Sequence, residues 1–294
     1  MKLVLIHTLI MMALLLNDIL ITLRHYVAPH HSPLSCSNKV GVSDKIITII
    51  LNLRFTLIGS IMYPIRISLA FILLALLALL LTPMTLLRPR HRNNMGDVSQ
   101  ICGRFMLWYW GADVKIEHPE RLEPNSPCVI IANHQDTHDV FFAVNIIKRG
   151  TVTLGKWEML YVPFIGGLFY LAGNIVIKRT NKAKAQKALS IAAKKMKEDQ
   201  LSVLIFPEGT RNWGKPLPFK LGAFKLAIEA QVPIQPVCFS LRHITMDYKK
   251  WCSGTVNVKC LEPIPTEGLI QDDAAPLASH CQNLIEQECI KISQ

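Results

Sequence analysis

At 294 residues the chain has room for one large domain, or for one domain with an appendage. Hydrophobic residues make up 50% and mean hydropathy is +0.29, too apolar for a wholly soluble protein, and the excess falls before residue 90. A net charge of +11 points to anionic headgroups or phosphorylated ligands. No basic helix with base-reading residues is visible, which argues against nucleic acid as a partner. The eight cysteines form no C-x-x-C pair and are joined by no histidine cluster, so neither a zinc pattern nor a compact disulfide framework is predicted. They read as reduced thiols facing the cytosol.

The N-terminal third is hydrophobic. Residues 3–23 read as an uncleaved anchor or interfacial helix, since no small-residue cleavage site follows closely. Residues 25–43, rich in His, Pro and Ser, read as a loop. Residues 46–65 are apolar around Arg54 and end on Pro64, and 67–87 form an uncharged run long enough for about 30 Å of hydrocarbon. Arg88, Arg90 and Arg92 follow, placing that end in the cytoplasm. Because Arg54 and Arg66 fit poorly inside a full span, a hairpin lying partly in one leaflet, its arginines reaching toward the headgroups, would cost less than full crossings, and the number of crossings is left open. Residues 1–94 are thus predicted as a membrane-anchoring region and 95–294 as the catalytic domain.

In the second region, 98–111 is a helix candidate and 114–117 a strand. Cys128–Ala132 is an apolar run, followed by the polar stretch Asn133-His134-Gln135-Asp136-Thr137-His138-Asp139 and then by 140–144, which reads as the body of a helix. Such strand-to-helix turns are where α/β folds place catalytic groups. His134 can accept a proton near neutral pH, and Asp139 can hold its other ring nitrogen and balance the imidazolium. The same turn also reads as an ordinary helix start capped by Asp136 or Asn133. His134 and His138 are four apart, but no third inward ligand accompanies them, and no metal is predicted.

Further along, 151–154 is a short strand ahead of Lys156, and 161–172 is almost wholly apolar. That run reads as a buried core helix or as the wall of an acyl-chain groove. Residues 174–177 form a strand ending at Lys178-Arg179. A lysine-decorated amphipathic helix follows, with Ala185, Ala188, Leu189, Ala192 and Met196 on its apolar stripe. Residues 201–206 are a strand, 222–230 a helix, 232–241 a strand and 276–292 the last helix. Strands alternating with helices predict an α/β domain with a mixed, largely parallel sheet flanked by helices.

Four blocks in this order resemble the lysophospholipid or glycerolipid acyltransferase family, in particular its 1-acylglycerol-3-phosphate acyltransferases. They are Asn133-His134 with Asp139, Gly173-Asn174-Ile175-Val176-Ile177-Lys178-Arg179, Phe206-Pro207-Glu208-Gly209-Thr210-Arg211, and Val232-Pro233-Ile234-Gln235-Pro236-Val237. The resemblance covers roughly residues 95–265, and its third block is the most specific. The second departs from the common form, with Lys178 where an acidic residue is frequent.

The resemblance implies a membrane enzyme of phospholipid biosynthesis. It would move an acyl chain from acyl-CoA or acyl carrier protein to the sn-2 hydroxyl of lysophosphatidate, with no cofactor. His134 would be the general base and Asp139 its partner, a device contributing roughly 10²–10⁴-fold. No G-x-S-x-G elbow is present and no cysteine adjoins the pair, so direct transfer is simpler than an acyl-enzyme. Arg211 and Arg179 suit the acceptor phosphate, since a guanidinium fork matches it bidentately, with Lys156 and Lys220 as further cations. Glu208, Gly209 and Thr210 belong to the turn that presents Arg211. Arg179 also reads as a strand-end surface charge, and 232–237 as sheet core or acyl-pocket wall. The partners implied are a lysophospholipid, an acyl thioester and an inner, cytoplasmic membrane. A related acceptor such as glycerol-3-phosphate, a thioester hydrolase and a non-catalytic lipid binder are the other readings.

Overall fold

The computed structural model describes residues 42–122, 127–178 and 182–294. Helices α1 (Val42–Leu86) and α2 (Asn94–Trp110) precede the sheet. Then come β1 (Ala112–Glu117), β2 (Val129–Ala132), α3 (Asp139–Phe142), β3 (Thr151–Lys156), α4 (Ile165–Leu171) and β4 (Ile175–Ile177). The chain continues through α5 (Lys182–Glu198), β5 (Ser202–Ile205), α6 (Gly222–Ala230), β6 (Ile234–Phe239), α7 (Arg242–Thr245), β7 (Gly254–Cys260) and α8 (Ala274–Lys291).

The seven strands form one sheet in the order β1-β7-β6-β2-β5-β3-β4. Strands β2 to β6 are mutually parallel; β7 pairs antiparallel with β6, and β1 runs parallel to β7. The sequence reading of a mixed, largely parallel sheet holds, and burial follows position. Every residue of β2, β5 and β6 is buried, as strands covered on both faces must be. Outer β1 alternates, with Asp113, Lys115 and Glu117 exposed, and such charges discourage further pairing at an edge.

Crossovers that step toward β4 put Phe141, Phe142 and Leu168 against one face of the sheet, together with α1 and α2. Crossovers that step back, through α5 and α6, lie on the other face with α8. This is the double winding that one crossover hand imposes.

Pro236 sits inside central β6, where a missing N–H would normally be excluded. Leu261 still donates its N–H to the Pro236 carbonyl at 3.0 Å. The return bond that proline cannot give comes instead from the buried Gln235 side chain, whose Nε2 lies 2.7 Å from the Leu261 carbonyl. The Gln235-Pro236 block is therefore a piece of sheet chemistry, and of its two readings, core and acyl-pocket wall, β6 takes the first.

Three sequence expectations are corrected. In place of the hairpin that would have cost least before residue 88, the chain forms one continuous helix of 45 residues. Pro64 and Pro83 lie within it, each forfeiting one bond without ending the apolar run. Within it Met62–Leu86 is long and apolar enough to cross a membrane. Tyr63, Ile67, Ala70, Leu74 and Ala78 form its stripe against the domain, while Ile65, Leu69, Ile72, Leu76 and Leu80 face outward. Arg66 is the staple between the two: its guanidinium bonds the carbonyls of Tyr109, Tyr248 and Trp251 and lies 4.7 Å from the Trp110 ring. The run 161–172 is not a buried core helix, because α4 buries only Gly166 and Leu168 and leaves Phe164 and Tyr170 about half exposed. The helix body expected at 140–144 is a single turn, α3, passing into a 3-10 turn at Ala143–Ile146. The predicted anchor at 3–23 and the loop at 25–43 lie outside the described residues, apart from the first residues of α1.

Candidate active site

The strands β5, β2 and β6 are adjacent and parallel, so the loops leaving their carboxyl ends meet. Each is stitched to the turn after β2. The Asn133 side chain accepts the Phe239 N–H at 2.8 Å and donates to the Phe239 carbonyl at 3.0 Å, fixing the turn to the end of β6. The Gln135 amide donates to the Ser240 carbonyl at 2.9 Å and accepts the Arg242 N–H at 3.0 Å. From the β5 loop, Asn212 and Trp213 donate their N–H groups to the carbonyls of His134 and Gln135, both at 2.9 Å.

His134 and Asp139 meet in this frame. Oδ2 of Asp139 takes the Nδ1–H of His134 and also the N–H groups of Gln135, at 2.7 Å, and Asp136, at 3.2 Å. A carboxylate only accepts, so the ring proton sits on Nδ1 and Nε2 is left as the basic nitrogen. The His134 ring stacks on Phe206 at 4.5 Å and its side chain is 18% exposed, whereas Asp139 is buried. The imidazole is thus presented at the surface of the site with its partner held beneath it. The capping alternative fails, because neither Asn133 nor Asp136 caps α3; Asn133 ties β6, and Asp136 accepts the His138 N–H at 2.7 Å.

Glu208 is buried and accepts the His134 N–H at 2.8 Å. Burial pushes its carboxyl up to about 6, against the opposing pull of that N–H and of the Asn212 side chain. Gly209 has φ +72°, and a Cβ there would come 2.8 Å from the ammonium of Lys220. Lys220 thus stands over the turn, and its own N–H bonds the Pro207 carbonyl at 2.8 Å. Arg211 directly precedes Asn212, whose N–H is bonded to the His134 carbonyl, and its guanidinium is 6.0 Å from the Trp213 ring.

The family model named Acyltransferase matches residues 113–240. A 1-acyl-sn-glycerol-3-phosphate acyltransferase of Haemophilus influenzae is 35% identical over 232 residues, covering 78% of this chain and 95% of the relative. The chain belongs to the glycerolipid acyltransferase family. The human 1-acyl-sn-glycerol-3-phosphate acyltransferase beta is 36% identical over 211 residues, covering 70% of this chain and 76% of the relative. The crystal structure of a 1-acyl-sn-glycerophosphate acyltransferase from Thermotoga maritima superposes with a TM-score of 0.57, covering 81% of this chain and 96% of that one. At 19% identity it is a likeness of fold alone.

Within this acyltransferase fold, the predicted residues His134, Asp139 and Glu208 are bonded to one another's groups, Lys220 lies against Gly209, and Thr210 and Arg211 belong to the same loop after β5. Lys156 is exposed at the end of β3, the strand next to β5, and pairs with Glu158 at 3.3 Å. Arg179 lies outside the described residues. Its neighbour Lys178 sits 4.8 Å over the Trp157 ring, a use for the ammonium that an acidic residue could not supply. His138 does not converge with His134. Its ring stacks on Tyr248 at 3.7 Å and bonds Asp136 Oδ1 at 3.1 Å, fully buried. Seven free cysteines are described, and only Cys252 is exposed.

One functional neighbour escaped the sequence reading. Arg242, at the start of α7, pairs with both Asp136 and Asp139. Burial by itself would raise the Asp136 carboxyl, but Arg242 and His138 outweigh it and hold that group well below the usual carboxylate range. The only sequence signal was a cation shortly after a largely apolar strand.

Proposed function

We propose that this acyltransferase moves an acyl chain from a thioester, carried by coenzyme A or by acyl carrier protein, to the sn-2 hydroxyl of lysophosphatidate. The observation that carries the reading is the His134–Asp139 pair, open to solvent at Nε2, with the Glu208–Arg211 turn bonded to the His134 backbone. Nε2 takes the hydroxyl proton as the oxygen attacks the thioester carbonyl. The tetrahedral adduct collapses, the C–S bond breaks, and the imidazolium returns its proton to the departing sulfur. Asp139 stabilises the imidazolium in between. Arg211 and Lys220, with Arg179, hold the acceptor phosphate.

The outward stripe Ile65, Leu69, Ile72, Leu76 and Leu80 supports seating α1 in the lipid from which the acceptor comes. Arg88, Arg90 and Arg92 at its end support a cytoplasmic location for the catalytic region, 95–294, on an inner membrane.

The deciding experiment is transfer in vesicles from labelled acyl-CoA and acyl carrier protein to lysophosphatidate, glycerol-3-phosphate and neutral lysolipids. Release of free fatty acid without an acceptor counts as hydrolysis. The reading requires an acceptor-dependent product with lysophosphatidate preferred. In Arg211→Ala the KM for lysophosphatidate is expected to rise at least about tenfold, the loss of one charge-assisted bond. An unchanged KM removes Arg211 from the phosphate site.

A further inference from the structure

Arg242 is the most deeply buried cation of the site, only 1% exposed. Its position is fixed from the backbone outward: β6 ends at Phe239, and the Arg242 N–H is held by the Gln135 side chain at 3.0 Å. From there the guanidinium reaches two carboxylates three residues apart in the turn after β2. Nε lies 3.3 Å from Asp136 Oδ2, and a terminal nitrogen pairs with Asp139 Oδ1. Each carboxylate is also bonded to a histidine on its other oxygen, Asp136 to His138 and Asp139 to His134.

The charges facing the base come from three elements. Asp136, His138 and Asp139 belong to its own turn, Glu208 and the cations Arg211 and Lys220 to the loop after β5, and Arg242 to the start of α7. The hydroxyls of Tyr63 on α1 and of Tyr248 lie behind His138, whose Nε2 is 3.5 Å from the Tyr63 oxygen. Asp136 and Asp139 bring two negative charges into a dry region, and Arg242 is the cation bonded to both. It leaves the pair one negative charge in excess, matching the single positive charge that His134 gains when it takes a proton. Occupied at Oδ1 by the guanidinium, Asp139 can present only Oδ2 to His134. A planar fork can meet both carboxylates at once, and a lysine ammonium cannot hold that geometry.

We propose that Arg242 is a positioning residue for acyl transfer: by bridging Asp136 and Asp139 it fixes the Asp139 carboxylate against His134 and balances the charge under the base. The inference rests on His134 being that base. Its test uses the full chain in vesicles, with lysophosphatidate and the active acyl thioester, and follows kcat and kcat/KM against pH beside the thermal melt of each variant.

Arg242→Lys keeps the charge but loses the fork. Its kcat is expected to fall by about 10–100-fold with KM for lysophosphatidate unchanged, since misplacement of a catalytic group costs about this much. Arg242→Gln removes the positive charge, so His134 holds its proton to higher pH, and the acid limb of kcat/KM moves up by about one pH unit. A role confined to folding would lower the yield of active enzyme and leave that limb in place. A folded Arg242→Gln enzyme with the parental limb overturns the proposal. So does an Arg242→Lys enzyme with the parental kcat, which decides the matter where the Gln variant does not fold. Failure of the base assignment looks different, because the parental enzyme would then retain turnover after His134→Ala.

Discussion

The turn after β2 carries two histidine–aspartate pairs four residues apart, and they have opposite surroundings. His134 bonds Asp139, stacks on one phenylalanine and keeps part of its ring in solvent. His138 bonds Asp136 and is closed in by Trp110 at 5.0 Å, Phe141 at 6.0 Å and Tyr248 at 3.7 Å, with no exposed surface. The same two groups thus give a base that a substrate hydroxyl can reach and a polar core contact that it cannot. Chemistry of the side chain is shared; access is what separates them. Arg242 joins the two pairs, so the buried one steadies the exposed one.

Removing the exposed imidazole has the largest expected effect. His134→Ala should lower kcat by roughly 10²–10⁴-fold, the usual worth of a general base, while the thermal melt stays near that of the parent. Retained turnover in a folded variant would refute the assignment. His138→Ala should reverse the pattern. Deleting a ring packed among four aromatics, Tyr63 included, leaves a cavity and strands Asp136, at a cost of roughly 2–4 kcal/mol in denaturant unfolding. If the His138 variant melts like the parent and the His134 variant does not, the division of roles drawn here is wrong.

Much of this contrast was legible before the structure. The central strands announced themselves as short, mostly apolar runs, because strands covered on both faces carry few polar residues. The His134–Asp139 pair followed from its place between such a strand and a helix. Access was not legible: His134 and His138 are equivalent as letters, and only the aromatic wall from α2 and Tyr248 tells them apart. Arg242 was missed because its partners lie 106 and 103 positions earlier, and only the parallel pairing of β2 with β6 makes them neighbours. β7 went unassigned although Val256, Val258 and Cys260 alternate with Thr255, Asn257 and Lys259; the alternation is short and follows a polar loop. The hairpin was mistaken because Pro64 and Arg66 look like breaks in an apolar run. The structure uses Arg66 as a staple to four carbonyls of the domain, those of Tyr109, Tyr248, Lys250 and Trp251, and the helix continues past it.

A smaller effect sharpens the comparison from the open side. Glu208 touches the His134 backbone, yet it is buried as the His138 pair is, and burial lifts its carboxyl from 4.5 to about 6. An acid whose folded value is raised favours the folded state only while it is protonated. Its contribution is complete below about pH 4.5 and is lost as pH rises through about 6. Glu208→Gln keeps an oxygen to accept the His134 N–H and cannot ionise. Relative to the parent, this variant should gain on the order of 1–2 kcal/mol of unfolding free energy between pH 4 and pH 8, read from denaturant midpoints at each pH. A difference that stays flat across that window would mean that the carboxylate is solvated when charged. The Glu208 side of the site would then be wet, and the dry, pre-arranged frame argued for His134 would extend only to Asp139 and Arg242.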